Sequence, residues 1–503
     1  MNIDVILKET TRYRRRQKLN AMTDGLGLGG AYSATLDRIK GQGGGEAQLG
    51  MDTLMWIFHA ERPLKADELL HALAVEIGSP NLNSDNIPSI GPLLYCCQGL
   101  VAIDKEASTV RLIHTTLHEH LRAHPELFCA AHSTIAETCL SYLNSPQVKA
   151  LSTTPSPDLQ STPFLEYASL YWGVHAKRDL SNCAKLLALT LFDYNNHIST
   201  KILVQGQAGY SSSVDFDKLS LFSGLHCASI FGIDEIVAGL VEVEGCDINQ
   251  NDCAGNTPLV WAALNGHEGV VEILLGRDGV NPEKPGRFKQ TPLCCAAENG
   301  HEGVVKILLG RDDVNPEKPS RLKQIPLCFA AENGHEGVVK ILLGRDDVNP
   351  EKPGSFGRTP LCFAAKNGHE GVVQILLGRG DVNPEKPGRL ERTPLCYAAE
   401  YGHEGVVKML LGRADVNPEK PASLGRTPLY WAAKNGHQGI VKTLLERDDV
   451  NPNKPDSTGR TPLDYAIKYG YARVVALLQP LAPTTPSPTQ GQGATALTPS
   501  KRR

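Results

Sequence analysis

The chain has 503 residues, which is too long for a single hydrophobic core, so it must hold several domains or an extended repeat. Its 51 Lys and Arg against 55 Asp and Glu give a net charge of -4, which argues against a protein built mainly to neutralise nucleic-acid phosphates. No stretch reaches the roughly 18 apolar residues of a membrane span, and the apolar run at Met1–Ile6 is too short for a secretory signal. We therefore expect an intracellular, cytoplasmic protein that does not enter membranes.

The first region with a clear pattern of elements is 46–128, where short apolar runs first follow helical spacing and then alternate. The predicted elements are helices at Met51–His59 and Ala66–Ile77, strands at Leu100–Asp104 and Thr109–Ile113, and a helix from His114 to about His124. Helices followed by a hairpin are typical of a winged helix. We therefore predict a winged-helix-like domain over 46–128, a helical domain over 129–205 and a linker over 206–222.

Three segments of this region carry a resemblance to a known architecture. They are Thr23–Ile39, Glu61–Leu69 and Val110–Leu121. They resemble the region that follows the nucleotide-binding core in fungal NACHT/ankyrin proteins, which are NLR-like signalling ATPases of the STAND class. The resemblance implies that 1–45 is the remnant of the region after a NACHT module. It also implies that a sensor domain lies on the C-terminal side of this region.

The phosphate-binding motif of such ATPases is missing from the sequence. No G-x-x-x-x-G-K-[S/T] occurs, and the glycine-rich segment 41–46 lacks the lysine and hydroxyl that hold phosphate and magnesium. We therefore expect no enzymatic activity and no cofactor. The chain resembles a sequence that starts after the ATPase core, through truncation, an alternative start or an incomplete gene model.

Several histidines near the predicted hairpin invite functional roles. By the resemblance, His114 stands where NACHT proteins place a histidine that contacts ADP, which makes it a weak cofactor-binding candidate. Without the P-loop, a structural role is favoured. His118, His120 and His124 add a metal hypothesis, but Arg122 occupies the position of the second histidine in H-E-x-x-H, so no metal site is expected.

The second half of the chain repeats itself every 34 residues. The marker is Thr-Pro-Leu, which begins at Thr257, Thr291, Ile325 (as Ile-Pro-Leu), Thr359, Thr393, Thr427 and Thr461. A degenerate first copy begins at Ser223. The predicted units are 223–256, 257–290, 291–324, 325–358, 359–392, 393–426, 427–460 and 461–478, and a disordered tail rich in Pro, Thr and Ser is predicted over 479–503.

Each unit has the signals of two short helices and a finger. Thr caps the first helix, Pro occupies its first turn, and a Gly such as Gly300 ends it. Val-Val-x-Ile-Leu-Leu gives a second, apolar-sided helix, and Val-Asn-Pro-Glu-Lys-Pro then forms an extended finger. No unit can bury its apolar face alone, so stacked neighbours supply the core.

These residues resemble the ankyrin repeat, in spite of a unit one residue longer than the common 33 and a Cys where the family usually has His. The fold class that follows is all-α dominated: an ankyrin solenoid of α-helical hairpins with β-turn fingers, preceded by the winged-helix-like and helical domains. The resemblance implies protein-binding activity.

Residues that recur at the repeat period are predicted to be structural. Four of the thirteen cysteines do so, which explains them better than redox or zinc chemistry. An aromatic series is predicted to pack between repeats, and a histidine series to satisfy backbone groups in the turns. Ile325 replaces a capping Thr, which predicts a local weak point of about 1 kcal/mol.

In ankyrin proteins, residues that vary between copies on the first helix and at the finger tip form the recognition surface. Carried over by position, this gives helix residues Glu298, Glu332, Lys366, Glu400 and Lys434. The fingertip residues are Arg287, Phe288, Lys289, Arg321, Leu322, Lys323, Phe356, Arg358, Arg389, Leu390, Arg392, Leu424 and Arg426. Cations beside apolar residues suggest an acidic protein segment with apolar anchors. The alternative is an ordinary solvated surface.

The sequence thus favours a non-enzymatic, NLR-like scaffold or sensor that binds a protein through its repeats. One alternative is the sensor and regulatory part of a NACHT ATPase whose P-loop core lies outside this chain. A lesser alternative is a winged-helix DNA-binding protein. Its candidate helices carry Glu68 and Glu76 and few basic residues besides Lys65, so they are poorly suited to bind phosphates.

Overall fold

The computed structural model describes residues 28–79, 81–152, 161–194, 197–206 and 221–481. The chain divides into two compact units, Met1–Arg287 and Phe288–Arg503. Residues 1–27, residues 207–220 of the linker predicted over 206–222, and residues 482–503 of the predicted tail lie outside the described residues. Within the described ranges, no helix is long and apolar enough to span a bilayer.

The first unit is helical apart from one hairpin. Its helices are α1 Leu28–Lys40, α2 Glu46–His59, α3 Ala66–Leu73, α4 Ile90–Cys96, α5 Thr115–Ala123, α6 Ala131–Asn144, α7 Pro146–Leu151, α8 Leu165–Arg178, α9 Asn182–Phe192, α10 Ile198–Gly206, α11 Gly224–Phe231, α12 Asp234–Val241, α13 Pro258–Asn265 and α14 Glu268–Leu275. The hairpin pairs β1 Val101–Asp104 with β2 Thr109–Leu112.

The predicted winged-helix elements are present, with one shorter helix. The strands pair antiparallel, with Val101 opposite Leu112 and Asp104 opposite Thr109. The helix predicted over 66–77 ends at Leu73, because the chain turns at 74–78 and Gly78 takes a positive φ of 81°. Ile77 continues the apolar spacing but is 42% exposed, so its hydrophobicity does not mark a helix.

A chain of buried polar groups joins α6, α8 and the end of α2. His132 Nδ1 lies 2.8 Å from His175 Nδ1, and His175 Nε2 lies 2.9 Å from the hydroxyl of Tyr167. That hydroxyl also accepts a hydrogen bond from the backbone N–H of Glu61 at 3.1 Å. Burial, with neighbouring cationic groups, lowers the pKa of His175 to about 3 and that of His59 to about 4.

These depressed histidine pKa values predict that acid destabilises the first unit. An unfolded histidine titrates at about 6.5, so between that pH and about 4 the unfolded chain binds protons that the folded chain excludes. The free energy of unfolding should therefore fall as the pH drops through this window. The variant His175→Gln should flatten the fall, measured as the urea midpoint against pH, whereas His124→Gln, at an exposed site, should not. Identical slopes for wild type and His175→Gln would contradict the prediction.

The second unit consists of helix pairs at the repeat period. They are α15 Pro292–Asn299 and α16 Glu302–Leu309, α17 Pro326–Asn333 and α18 Glu336–Leu343, α19 Pro360–Asn367 and α20 Glu370–Leu377, α21 Pro394–Tyr401 and α22 Glu404–Leu411, α23 Pro428–Asn435 and α24 Gln438–Leu445, and α25 Pro462–Lys468 and α26 Ala472–Leu478. A 3-10 turn at Gln479–Leu481 follows, inside the segment predicted to be a disordered tail.

The helix boundaries have the predicted chemical causes. The hydroxyl of Thr359 accepts a hydrogen bond from the N–H of Cys362 at 3.2 Å, and Thr291, Thr393, Thr427 and Thr461 cap in the same way. At the other end of α19, Gly368 has φ +78°, and a Cβ there would lie 2.4 Å from His403 Nδ1. Glycine is therefore required both by conformation and by space.

Ile325 begins α17 without any side-chain cap and is 1% exposed. Replacing it by Thr should restore the bond to the N–H of Cys328 and stabilise the array by about 1 kcal/mol. The buried Thr291 and Thr359 show that the same position accepts a hydroxyl. The midpoint of thermal unfolding should rise for Ile325→Thr and fall for the reciprocal Thr359→Ile. An unchanged or lower midpoint for Ile325→Thr would refute the weak point.

Histidines tie four repeats of the second unit to the repeat before each of them. His335, His369, His403 and His437 each donate from Nε2 to a first-helix carbonyl of the preceding repeat, at 2.8 to 3.0 Å. The structural role predicted for this series is confirmed, but the bond crosses between repeats instead of closing a turn. The cysteines at the repeat period, such as Cys362, are fully buried, and burial raises the pKa of the Cys362 thiol to about 11.

The finger motif forms a second set of ties between repeats. Lys352 Nζ lies 2.9 Å from Glu317 Oε2 of the preceding finger, and the N–H of Asn349 donates to the other oxygen of that carboxylate at 2.7 Å. Equivalent lysines pair with Glu351, Glu385 and Glu419. The Glu and Lys of Val-Asn-Pro-Glu-Lys-Pro thus form ion pairs between neighbouring fingers.

Candidate functional site

The fingers of the second unit end in turns whose tips are apolar and exposed. In one finger the N–H of Gly354 donates to the carbonyl of Arg358 at 2.8 Å, and Gly388 and Ala422 begin the same closure in the next two. Phe356, Leu390 and Leu424 occupy the tips and are 54 to 58% exposed. Their φ angles are +57°, +59° and +66°, a region that bulky residues rarely adopt.

The residue before each capping position changes character along the unit. It is glutamine at 290 and 324 and arginine at 358, 392 and 426. Eight residues later, on the first helix, stand Glu298, Glu332, Lys366, Glu400 and Lys434. The first two repeats of this unit therefore pair an amide with a carboxylate, whereas positions 358 and 426 face a second cation.

The acidic members of the predicted surface are paired internally. Gln290 Nε2 donates to Glu298 at 2.6 Å, and Gln324 Nε2 donates to Glu332 at 2.9 Å. Arg392 Nη1 lies 2.6 Å from Glu400 Oε2, and both side chains are only 17% exposed. These carboxylates are therefore less available to a partner than the sequence suggests.

Burial raises the pKa of Glu400 above its ordinary value. Nearby cations oppose this shift; they are Arg392, Lys434, Arg358 and Lys366. The surroundings of Glu400 thus carry more positive than negative charge.

We call Arg358, Arg392 and Arg426 the arginine ladder. Each guanidinium stacks on the aromatic residue five positions later: Phe363 at 5.7 Å, Tyr397 at 5.9 Å and Trp431 at 5.6 Å from the ring centre. Two of them also reach the ring of the following repeat, because Arg358 lies 5.3 Å from Tyr397 and Arg392 lies 4.0 Å from Trp431. Stacking of this kind holds the cations in place.

The aromatic series that supports the ladder is buried, as predicted. Phe363, Tyr397 and Trp431 are at most 2% exposed. Phe329 is only partly buried, and the residue before the capping position of its repeat is Gln324 instead of an arginine. Packing between repeats and support of the arginines are thus two roles of the same rings.

Unpaired donors collect at one end of the ladder. Arg392 Nε, Arg426 Nε and Trp431 Nε1 are buried and have no hydrogen-bond partner in the described part of the chain. In two other repeats the equivalent ring has an acceptor: Trp261 donates to Asp252 at 2.6 Å, and Tyr465 donates to Asp456 at 2.9 Å. Ala422 stands at that position before Trp431 and has no polar side chain.

The predicted fingertip residues fall into both units. Arg287 belongs to the first unit and the others to the second. Among these, Arg389 stacks on Phe356 at 5.1 Å. Of the predicted helix residues, Lys366 and Lys434 lie over Tyr401 and Trp431 at 5.6 and 5.1 Å. The exposed predicted residues are Phe288, Lys289, Arg321, Leu322, Lys323, Phe356, Arg389, Leu390 and Leu424. The structure places the cations beside apolar and aromatic groups.

The sequence did not reveal the ladder or its unpaired donors. The available signal was the change from Gln-x-Pro-Leu to Arg-Thr-Pro-Leu, combined with an aromatic residue five positions after the arginine. The sequence also shows Ala422 where Asp252 and Asp456 stand in two other repeats, although Gly or Ser takes this position in the remaining four. The consequence of Ala422 is visible only once the ring and the turn are seen together.

His114 has a local structural role. Its Nδ1 accepts a hydrogen bond from the N–H of Thr116 at 3.2 Å and so caps α5. Its ring lines an open depression of about 380 Å³ together with Arg62, Arg111 and His118. In the part of the chain that the structure covers, no three His, Cys, Asp or Glu residues are grouped to hold a metal ion.

Comparison with known families supports two parts of the fold. The model for ankyrin repeats (three copies) matches residues 190–285, 225–320, 275–352, 327–420 and 412–483, which together span more than half of the chain. The model for the winged helix domain of GPI inositol-deacylase matches 39–129. The predicted repeats and winged helix are therefore confirmed.

Solved structures also match the chain. No curated protein matches the chain. The human ASB11 ankyrin repeat domain is 25% identical to it, covers 44% of this chain and 98% of its own length, and gives a TM-score of 0.40.

Proposed function

Since the chain belongs to the ankyrin repeat family, we propose that it is a non-enzymatic interaction protein whose second unit binds an acidic segment of a partner protein. One observation carries the proposal. Arg358 and Arg426 are held against aromatic rings and have no carboxylate partner among the described residues. Such cations lose little side-chain freedom on binding, which favours affinity for a carboxylate.

The fingertips supply the apolar part of this surface. Phe356, Leu390 and Leu424 project beside the arginine ladder and remain more than half exposed. Apolar tips next to stacked arginines suit a segment that alternates acidic residues with apolar anchors.

The order of parts supports a sensor role. The winged-helix match at 39–129 precedes the repeat matches at 190–483. In NLR-like proteins, which the N-terminal segments resemble, repeats in this position recognise the signal. The second candidate is therefore the sensor and regulatory part of a NACHT-type ATPase, for which the same surface would receive the ligand.

Binding of a labelled acidic peptide tests the proposed surface. The full chain should bind a peptide of glutamates and leucines, and salt should weaken the complex because the attraction is partly electrostatic. A peptide with lysines in place of the glutamates should not bind. Arg358→Glu combined with Arg426→Glu should weaken binding at least about tenfold, measured by fluorescence anisotropy.

The matched control reverses Lys408 and Lys442, which are exposed on α22 and α24. It changes the net charge equally and should leave the affinity nearly unchanged. Equal losses in the two double variants would assign the effect to overall charge. Failure of every acidic peptide to bind would refute the proposal.

The winged helix offers a lesser function, binding of duplex DNA. Its helix α3 carries Glu68, which forms a bidentate pair with Arg62 at 2.7 and 2.8 Å and so neutralises a nearby cation. We expect no salt-sensitive shift of duplex DNA in a gel assay at low ionic strength. A shift that disappears with added salt would favour this function instead.

A further inference from the structure

The arginine ladder has an alternating charge pattern. Arg392, in the middle, is neutralised by Glu400, whereas Arg358 and Arg426 on either side have no carboxylate partner among the described residues. Lys366 and Lys434 stand on the first helices of these outer repeats and add to their positive charge. The surface therefore presents two cationic positions separated by one neutral position.

The spacing of these positions follows from the stacked rings. Arg392 Cζ lies 5.9 Å from the ring centre of Tyr397 and 4.0 Å from that of Trp431, so consecutive rings are at most about 10 Å apart, as expected for packed helices. Arg358 and Arg426 are two repeats apart, so helices packed about 8 to 10 Å apart separate them by roughly 16 to 20 Å. An extended chain advances about 3.3 Å per residue, so five or six residues cover this distance.

An even number of residues also places both side chains on the same face of an extended strand. Resting on the proposed binding of an acidic segment, we propose that the ladder recognises two acidic residues at positions i and i+6 of one extended segment. The residues at i+2 and i+4 face the middle of the ladder. They are neutral or apolar, because Arg392 is already paired with Glu400 and offers no free cation there, and the tip of Leu390 offers an apolar contact.

The repeat that contains Ala422 supports a carboxylate at the Arg426 position. Asp252 and Asp456 supply an internal carboxylate at the equivalent place in their own repeats, where each accepts from a buried ring. With Ala422 this carboxylate is missing, and Arg426 Nε and Trp431 Nε1 have no acceptor within the described residues. Excess buried donors favour a site that gains a negative charge from outside.

A protein segment fits this pattern better than a nucleic acid strand. Phosphates follow one another at every nucleotide, so a strand that reached both outer arginines would also place phosphates beside Glu400. The rings of Tyr397 and Trp431 also lie under Arg358 and Arg392, so these two rings offer no free platform for a base.

The test uses the full chain and three labelled peptides of equal length on an alanine and leucine background. The first carries glutamates at i and i+6, the second at i and i+3, and the third at i, i+4 and i+6. The first should bind about tenfold more tightly than the second, because only its two carboxylates reach both outer arginines. The third should bind no better than the first.

Two variants separate the parts of the pattern. In Glu400→Gln, the third peptide should bind more tightly than the first, because Arg392 has then lost its internal carboxylate and can pair with the middle glutamate of the peptide. In Ala422→Asp, the internal carboxylate should raise the midpoint of thermal unfolding and weaken the first peptide, so that stability and affinity change in opposite directions. A stable Ala422→Asp variant with unchanged affinity would overturn the role of Arg426.

The outcomes distinguish this inference from the function on which it rests. Equal affinity for the first two peptides would overturn the spacing but leave binding of acidic segments intact. No binding of any acidic peptide would overturn both. Tighter binding of single-stranded DNA than of the first peptide would assign the ladder to nucleic acid.

Discussion

In four successive repeats of the second unit, the first helix depends on the following repeat for a hydrogen bond. The carbonyl of Glu332, Lys366 or Glu400 at the end of that helix is bonded by the histidine of the following repeat. An unpaired buried carbonyl would be costly, so the histidine, its glycine neighbour and the spacing of 34 residues are fixed together. The lysine and glutamate pairs of the fingers repeat this dependence on the other side of the unit.

This constraint decides where the array can vary. Residues that tie one repeat to the next are nearly constant along the second unit, where Tyr471 alone replaces the histidine, while the position before the helix cap changes from glutamine to arginine. That position contacts rings and helix side chains but takes no part in the histidine or lysine ties. Recognition can therefore differ from one repeat to the next without loss of stacking.

The sequence predicted the features that recur at the repeat period and those that depend on residues close together in the chain. The capping Thr, the uncapped Ile325, the buried aromatic series and the structural histidines all follow from residue type and period. The end of α3 at Leu73 could not be predicted, because Val75 and Ile77 continue the apolar spacing while the backbone turns. The arginine ladder was missed for another reason: Arg358 and Tyr397 are 39 residues apart, and their contact exists only after stacking. The surface residues predicted by position were found near one another. Which of them form ion pairs could be learned only from side-chain geometry: Glu400 is paired with Arg392, whereas Arg426 has no carboxylate partner among the described residues.

The left-handed fingertips have a consequence for protein engineering. Phe356, Leu390 and Leu424 hold a backbone conformation that costs a side chain about 1 kcal/mol and that glycine adopts freely. A designer who seeks heat resistance would therefore replace them by glycine first. Each such change would also remove an exposed apolar group from the edge of the ladder. Thermostability and recognition are opposed at these three residues, and a stabilised version of the array would be a poorer bait for finding its partner.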